Sequence, residues 1–279
     1  MLIDTHAHVN FSGFKEDADA VMRRALDAGV VVVNVGTQID TSREAVAMAE
    51  KYPENVYAVI GIHPVHAYSQ ELDEEETHLK TREEKFDYEV YKALAQNSKV
   101  VGIGECGLDY FRLPPDGHHL GIKQLQAESF IGQLKLAKEL DKALVIHSRS
   151  SKGTDDACLD IYDILKTEGV ENLRFVLHSY TGSPEVAKMF VDLGAYISFN
   201  GIITFDKTGN QEAVLKVVPN EKILLETDCP YLTPVPMRGK KNEPSYVRYV
   251  AEHIAKLKGL AVDEVAVLTT ANAKRFFAV

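Results

Sequence analysis

The sequence lacks the features of membrane and secreted proteins. No apolar run approaches the roughly 18 residues of a membrane span. The opening residues Met-Leu-Ile-Asp-Thr contain no basic segment followed by an apolar stretch, which is the pattern of a signal peptide. We therefore expect a cytoplasmic protein that does not associate with membranes.

Cysteine is also scarce. The three cysteines, Cys106, Cys158 and Cys229, are odd in number and contain no C-x-x-C pair. This pattern favours reduced residues that pack in the interior, and it makes zinc–thiolate ligation the weaker alternative.

An excess of positive charge is missing as well. Lysine and arginine number 31 against 41 aspartates and glutamates, so the formal net charge is −10. Proteins that bind duplex nucleic acid over a broad surface usually present a basic face, and the acidic balance argues against that class. It is compatible with an enzyme that contacts phosphate through a metal centre and a few local cations.

What the sequence does contain is a regular alternation of short β-branched runs and amphipathic stretches. The alternation is typical of βα units around a parallel sheet. Strands are predicted at 1–5, 30–35, 56–61, 100–104, 143–147, 174–178, 195–199 and 222–227. Helices between them are predicted at 17–28, 40–51, 120–139, 155–167, 183–193 and 242–257, among others. Eight strands predict an α/β fold, a (β/α)8 TIM barrel in which residues 1–279 form a single domain.

Two further segments complete this prediction. Residues 69–89 are dense in charge and weakly periodic, which favours a solvated loop and helix between the third and fourth strands. The tail 261–277 predicts one or two helices that pack on the barrel, with Phe276 and Phe277 in the core.

Histidines and carboxylates recur where the predicted strands end. They are His6 and His8 after the first strand, Glu105 after the fourth, His147 and His178 at the ends of the fifth and sixth, and Asp228 after the eighth. A barrel brings the carboxyl ends of its strands to one face, so these side chains are predicted to meet there. Taken singly, each of these residues has another explanation: a histidine as a hydrogen-bonded core residue, Glu105 as a salt-bridged acid, and Asp228 as a cap of the following loop. Together, at equivalent positions, they predict a metal site.

The number of ligands predicts two divalent ions rather than one. The alternation of side chains along a strand places His6 and His8 on the same face. We assign His6, His8 and Asp228 to one ion and His147 and His178 to the other, with Glu105 bridging them. Nitrogen-rich ligation favours Zn²⁺, Mn²⁺ or Fe²⁺ over an all-oxygen Mg²⁺ cage, and availability decides which of them occupies the site.

The motifs around these residues resemble those of the TatD-type metal-dependent deoxyribonucleases over essentially the whole chain. The matching segments are Ile3–His8, Gly61–Pro64, Ile103–Tyr110, His147–Arg149, Leu177–Tyr180 and Leu225–Leu232. The resemblance implies an amidohydrolase-like TIM barrel, the same six metal ligands, and exonuclease activity on DNA, in some members also on RNA, with 3′→5′ polarity. Val65 after Pro64 and the long acidic segment depart from the family pattern, and both concern substrate preference.

Other residues are candidates for substrate binding. His63 ends the third strand and is predicted to donate to a phosphate oxygen, with a structural hydrogen bond as the alternative. Arg112 and Arg149 follow strand ends and suit phosphate binding, with a salt bridge to a rim acid such as Asp109 or Asp155 as the alternative. The basic loop 237–242 either steers substrate or is simply solvated. Aromatic residues that either stack on bases or pack are Tyr110, Tyr180, Phe205 and Tyr231.

These residues predict metal-assisted hydrolysis of phosphodiester bonds at single-stranded DNA ends, with RNA as a further substrate. Asp228 is assigned to orient or deprotonate the nucleophile, and Glu105 is the second catalytic residue. An esterase or amidohydrolase, such as an aminoacyl-tRNA deacylase, is the alternative on the same metals. A binding protein with a vestigial site is a third interpretation, which the intact ligand set disfavours. We expect a monomer or a weak oligomer.

Overall fold

The computed structural model describes residues 1–69, 71–74, 77–81, 83–114, 117 and 119–279, and for 71–74 and 77–80 it describes the backbone alone. In chain order the strands are β1 (Leu2–Ala7), β2 (Val30–Val35), β3 (Val56–Ile60), β4 (Glu71–Glu74), β5 (Thr77–Lys80), β6 (Val100–Asp109), β7 (Ala143–Arg149), β8 (Phe175–His178), β9 (Tyr196–Phe199) and β10 (Ile223–Leu225). Strands β4 and β5 form an antiparallel hairpin, and the others form one eight-stranded sheet in chain order with parallel pairing.

Helices alternate with these strands and cover the outside of the sheet. They are α1 (Ala18–Asp27), α2 (Ile39–Glu50), α3 (Tyr88–Leu94), α4 (His119–Glu139), α5 (Asp156–Glu168), α6 (Pro184–Asp192), α7 (Asn210–Val217), α8 (Val247–Lys258) and α9 (Val262–Phe277). Local capping interactions define where some of these helices begin and end. Ser183 caps the start of α6, because its hydroxyl accepts a hydrogen bond from the Val186 N–H. Gly259 ends α8 in a left-handed conformation. Among the described residues, none of the helices is both long and apolar enough to cross a bilayer.

Apolar side chains fill the amino-terminal half of the barrel interior. Apolar side chains from the first halves of the strands, such as Ile3, Val33 and Val145, form one buried cluster. Phe276 and Phe277 of α9 belong to the same cluster, as the sequence predicted. The carboxyl-terminal half of the interior is thereby left to polar side chains.

The two edges of the sheet meet where β1 ends. The His8 N–H donates to the Cys229 carbonyl at 2.9 Å, and the Asp228 N–H donates to the His6 carbonyl at 2.9 Å. A parallel bridge also pairs Ala7 with Cys229. The first and last segments of the barrel are therefore joined at the residues predicted to hold metal.

Irregular pairing in two strands turns these residues inward. In β1 the register shifts between Asp4 and Ala7, and in β6 it shifts between Ile103 and Cys106. A shift of one residue moves the following side chains to the other face of a sheet. Gly104 permits the shift in β6, because its φ is +135° and a Cβ there would lie 2.4 Å from the Val145 carbonyl oxygen.

The predicted (β/α)8 barrel is confirmed, with three local corrections. The fourth barrel strand does not end before Glu105, because its pairing with β7 continues to the Asp109–Arg149 pair. The prediction of a loop and helix at 69–89 missed the hairpin of β4 and β5; positions 70, 75, 76 and 82 lie outside the described residues. The helix predicted at 242–257 begins at Val247, after a short 3₁₀ turn that Pro244 opens. That residues 1–279 form one domain remains our proposal, which the single sheet supports.

Candidate metal centre

The first group of candidate ligands lies at the junction of β1 and the segment after β10. The Nε2 atoms of His6 and His8 are 3.2 Å apart, and the His8 Nε2 is 3.4 Å from Asp228 Oδ1. One ligand atom from each of the three residues lies within 4.8 Å of the others. These spacings are close to the edge of about 3.3 Å expected for a tetrahedron with bonds of roughly 2.0–2.1 Å.

The second group surrounds Glu105 on β6. Its Oε1 is 2.7 Å from the His178 Nε2 and 2.9 Å from the His147 Nδ1. Its other oxygen, Oε2, is 3.3 Å from the His6 Nε2 and 3.8 Å from the His8 Nε2. Each oxygen of the Glu105 carboxylate thus faces a different pair of candidate ligands, and the structure brings all six predicted ligands together.

The protonation of the rings suits a cation. The His8 Nδ1 lies 2.9 Å from the Val35 carbonyl oxygen. A carbonyl only accepts, so Nδ1 carries the proton and Nε2 presents a lone pair to His6 and Asp228. In a neutral His147 the same argument applies: Nε2 faces the Asp109 carboxylate at 3.1 Å, and Nδ1 then presents its lone pair to Glu105. Lone pairs that converge on one another in this way fit a bound divalent ion.

Asp109 connects His147 to Arg112. Its Oδ2 accepts from Arg112 Nη1 at 2.8 Å, and its Oδ1 accepts from the Arg112 N–H at 3.0 Å. Burial raises the pKa of Asp109, but the His147 hydrogen bond and charge outweigh burial and leave that pKa below its usual value. Arg112 therefore lies in the salt bridge that the sequence left open as the alternative to phosphate binding. An ionised Asp109 fixes the orientation of a candidate ligand.

Glu226 has the corresponding position next to His178, and the sequence did not identify it. Its Oε1 is 3.4 Å from the His178 Nδ1 and accepts the Ser179 N–H at 2.7 Å, while its Oε2 accepts the Ser198 hydroxyl at 2.7 Å. The side chain is buried. The available signal was an acidic residue directly after the apolar strand Ile223–Leu225, because such a residue needs polar partners in the interior.

The pKa values of the ionisable groups at the centre are shifted in different directions. Burial raises the pKa of the Glu105 carboxyl, but His178, His63 and His6 outweigh burial and leave that pKa well below its usual value. Burial lowers the pKa of His178, but Glu105 and Glu226 on its two sides raise it well above the usual value. Burial and the stacked His178 ring lower the pKa of His6. The Glu105 carboxylate is consequently ionised and available to a cation.

His63 approaches the same carboxylate from β3. Its Nδ1 accepts the Val65 N–H at 3.1 Å, so the proton of the neutral ring is on Nε2, which lies 3.3 Å from Glu105 Oε1. Burial and neighbouring His147 lower the pKa of His63 to about 3. His63 is thus a neutral hydrogen-bond donor at the centre. The donor is the backbone N–H of Val65, which any residue except proline would supply at this position, so the tautomer does not depend on the valine side chain.

The rim residues predicted to meet substrate divide into two sets. Arg149 is half-buried at the end of β7, stacks on Phe111 at 4.2 Å, and makes no ion pair among the described residues. In the basic loop, Lys241 pairs with Asp17 at 3.0 Å and Arg238 stacks on Phe205 at 4.3 Å. Two of the three cations of that loop, Arg238 and Lys241, are therefore engaged with the protein.

Two of the four predicted stacking residues are enclosed by the protein. Tyr110 and Tyr180 are buried, and their hydroxyls donate to Asp160 Oδ2 at 2.7 Å and to the Ser183 carbonyl at 2.9 Å. They pack, as the alternative interpretation had it. Phe205 and Tyr231 are half-buried, and Tyr231 meets the His8 ring edge at a centroid distance of 6.4 Å.

Comparison with known proteins shows the family to which the chain is similar. The family model for TatD-related DNases matches residues 3–278. A relative from Bacillus subtilis (strain 168), the uncharacterized metal-dependent hydrolase YabD, is 42% identical, and the match covers 99% of each chain. The 3′-5′ ssDNA/RNA exonuclease TatD of Salmonella typhimurium is 32% identical over 100% of this chain and 99% of that protein. The crystal structure of YJJV, a TatD homolog from Escherichia coli K12, has a TM-score of 0.82 at 29% identity and covers 100% of this chain and 98% of its own.

Proposed function

The chain belongs to the family of TatD-related DNases and is a metal-dependent hydrolase, and we propose that it removes nucleotides from the 3′ ends of single-stranded DNA or RNA. The observation that carries the proposal is the Glu105 carboxylate, whose two oxygens face separate imidazole pairs at 2.7–3.8 Å. This is the arrangement expected of a carboxylate shared by two divalent ions. The Salmonella relative named as a 3′-5′ ssDNA/RNA exonuclease supports the choice of substrate.

In this proposal, His6, His8 and Asp228 would hold one divalent ion and His147 and His178 the other, with Glu105 shared between them. Bound ions supply Lewis acidity for the phosphate and lower the pKa of water. Burial raises the pKa of Asp228, but the neighbouring histidines His8, His178 and His6 outweigh burial and lower that pKa below its usual value. Asp228 is therefore ionised, and it orients the attacking water and accepts its proton.

The remaining groups bind and orient the phosphodiester. His63 donates from Nε2 to a non-bridging phosphate oxygen, because its Nδ1 is occupied by the Val65 N–H. Arg149 contributes the charge that binds a phosphate. Arg112 acts through Asp109 and thereby orients His147.

The proposal is tested by digestion of single-stranded DNA labelled at its 5′ end, in the presence of Mn²⁺ or Mg²⁺. We expect a ladder that shortens from the 3′ end and the release of mononucleotides, and a 3′-phosphorothioate linkage should block it. Intact DNA, despite two equivalents of bound metal by elemental analysis, would contradict the proposal. Hydrolysis of carboxylic esters by the same preparation would then indicate an esterase.

The contact between Asp109 and His147 leads to a prediction about metal affinity. We expect Asp109→Asn to weaken binding of one of the two ions by about 10- to 100-fold, as is typical when the partner of a histidine ligand is lost. The ion held by His6, His8 and Asp228 should be retained. Stepwise metal removal followed by elemental analysis measures both occupancies.

Glu252→Gln is the matched control, because Glu252 lies on α8 and pairs with Arg248 at 3.2 Å, away from the centre. It should hold both ions as tightly as the unmodified protein does. Equal weakening of the two ions in Asp109→Asn would show that Asp109 supports the fold of the whole centre rather than the orientation of His147.

A further inference from the structure

Phe111 is an exposed aromatic ring beside the candidate metal centre. It lies two residues after Asp109, whose carboxylate contacts His147. The Phe111 side chain is 50% exposed, whereas neighbouring Tyr110 is 5% exposed. Exposing a large apolar ring at this position has no benefit for folding, since burying it would be favourable. The exposed surface of Phe111 is thus available to a ligand.

Arg149 fixes one side of this ring. Its guanidinium carbon lies 4.2 Å from the centroid of Phe111, and the two chain segments are in register through the Asp109–Arg149 pair. Arg149 follows His147 by two residues on the same strand, so both side chains point to the same side, roughly 6–7 Å apart along the strand. That separation is comparable with one nucleotide of an extended single strand.

Among the residues that the structure describes, no acidic side chain neutralises the charge of Arg149. Arg112 pairs with Asp109 at 2.8 Å, but Arg149 has no acidic partner in the part of the chain that the structure describes. The two guanidinium groups are close enough that burial and Arg149 together lower the pKa of Arg112 to about 10. Two like charges held together at the mouth of a site favour an anion between or beside them.

We propose that Phe111 and Arg149 form a subsite for the nucleotide next to the one being released, in which Phe111 stacks on the base and Arg149 binds the phosphate. The proposal rests on the function proposed above and specifies its substrate as an unpaired end. The face of a base is open to an aromatic side chain only when the base is unpaired, and such stacking is tolerant of sequence. Tyr110 and Tyr180 cannot do this because they are buried.

The test measures binding to the metal-loaded protein with a single-stranded oligonucleotide that carries 2-aminopurine at the penultimate 3′ position. A phosphorothioate at the last linkage prevents turnover. We expect Phe111→Ala to raise the Kd by about 5- to 100-fold, the range found for the loss of one base–aromatic contact, and to abolish the quenching of 2-aminopurine. Phe111→Trp should keep both the low Kd and the quenching of 2-aminopurine. With an abasic penultimate position, Phe111→Ala and the unmodified protein should bind equally.

Two controls, Tyr249→Ala and the abasic strand, separate stacking from a structural role. Tyr249→Ala removes an aromatic side chain that also lies under an arginine, Arg248 at 5.1 Å, but on the outer helix α8; its Kd should not change. An unchanged Kd in Phe111→Ala, or an equal loss on the abasic strand, would overturn the subsite.

The salt dependence of binding tests the phosphate contact of Arg149 separately from the stacking of Phe111. Arg149→Gln should reduce the slope of log Kd against log salt concentration by about one phosphate contact, whereas Phe111→Ala should leave the slope unchanged. An unchanged slope in Arg149→Gln would contradict the phosphate contact. If the oligonucleotide binds with quenching but the unblocked strand is never cleaved, the proposed function fails and the subsite stands. If the unblocked strand is cleaved but Phe111→Ala binds the oligonucleotide normally, the subsite fails and the proposed function stands.

Discussion

Glu105→Ala is expected to lower the rate of DNA hydrolysis by on the order of 10⁴-fold. Glu105 is the residue that faces both imidazole pairs, at 2.7 Å from His178 and 3.3 Å from His6. Its loss removes the negative charge shared by both ions, and metal ions supply several kcal/mol of transition-state stabilisation, with 1.36 kcal/mol corresponding to a factor of ten. Single-turnover digestion and elemental analysis of the same samples measure rate and metal content together.

The experiment needs two comparisons. Glu105→Gln keeps the shape of the side chain and one carbonyl oxygen, so it should retain more metal than Glu105→Ala but remain strongly impaired. Glu252→Ala, on the exposed face of α8, should be as active as the unmodified protein. A Glu105→Ala protein with unmodified metal content and rate would be evidence against a shared carboxylate.

Asp228→Asn should separate metal binding from the activation of water. Asp228 has the most exposed side chain of the six candidate ligands, at 15% compared with 0–12% for the others. Asparagine keeps an oxygen in the place of Oδ1 but cannot accept a proton at neutral pH. We expect kcat to fall by about 10²- to 10⁴-fold, the usual contribution of a general base, with little change in KM and with both ions retained.

Elemental analysis and steady-state kinetics of the same preparation distinguish the two roles. Loss of one ion in Asp228→Asn would show that Asp228 acts as a ligand alone. A kcat equal to that of the unmodified protein would exclude Asp228 as the base. Asp192→Asn is a suitable control, since Asp192 pairs only with Lys188 on the surface of α6 among the described residues.

The candidate ligands were predictable because of where they stand along the chain. His147 and His178 each follow an apolar run within a strand, near the carboxyl end of a sheet whose strands are parallel. The same reasoning works less well for groups that act through a ligand. Glu226 and Asp109 follow apolar residues too, but a single sequence gives no reason to connect them with His178 and His147 respectively.

The role of Arg112 could not be predicted from the sequence for a different reason. An arginine after a barrel strand suits phosphate and carboxylate equally well, because the guanidinium offers the same donors to both. The structure pairs it with Asp109, three residues earlier, and leaves Arg149 as the guanidinium without an acidic partner among the described residues. Phe111 was not a candidate at all, since the exposure of an aromatic residue depends on what packs around it.

By itself the sequence determined the order of strands and helices, the barrel, and the positions of the six candidate ligands. Those features follow from periodicity and from strand ends, which are local properties of the chain. Only the tertiary structure decided which way the ligands face. His6 and Glu105 lie within the one-residue register shifts of β1 and β6, and a shift of that kind is defined by pairing with a neighbouring strand. The contacts that orient the ligands, from Asp109 and Glu226, likewise form only when distant strands come together.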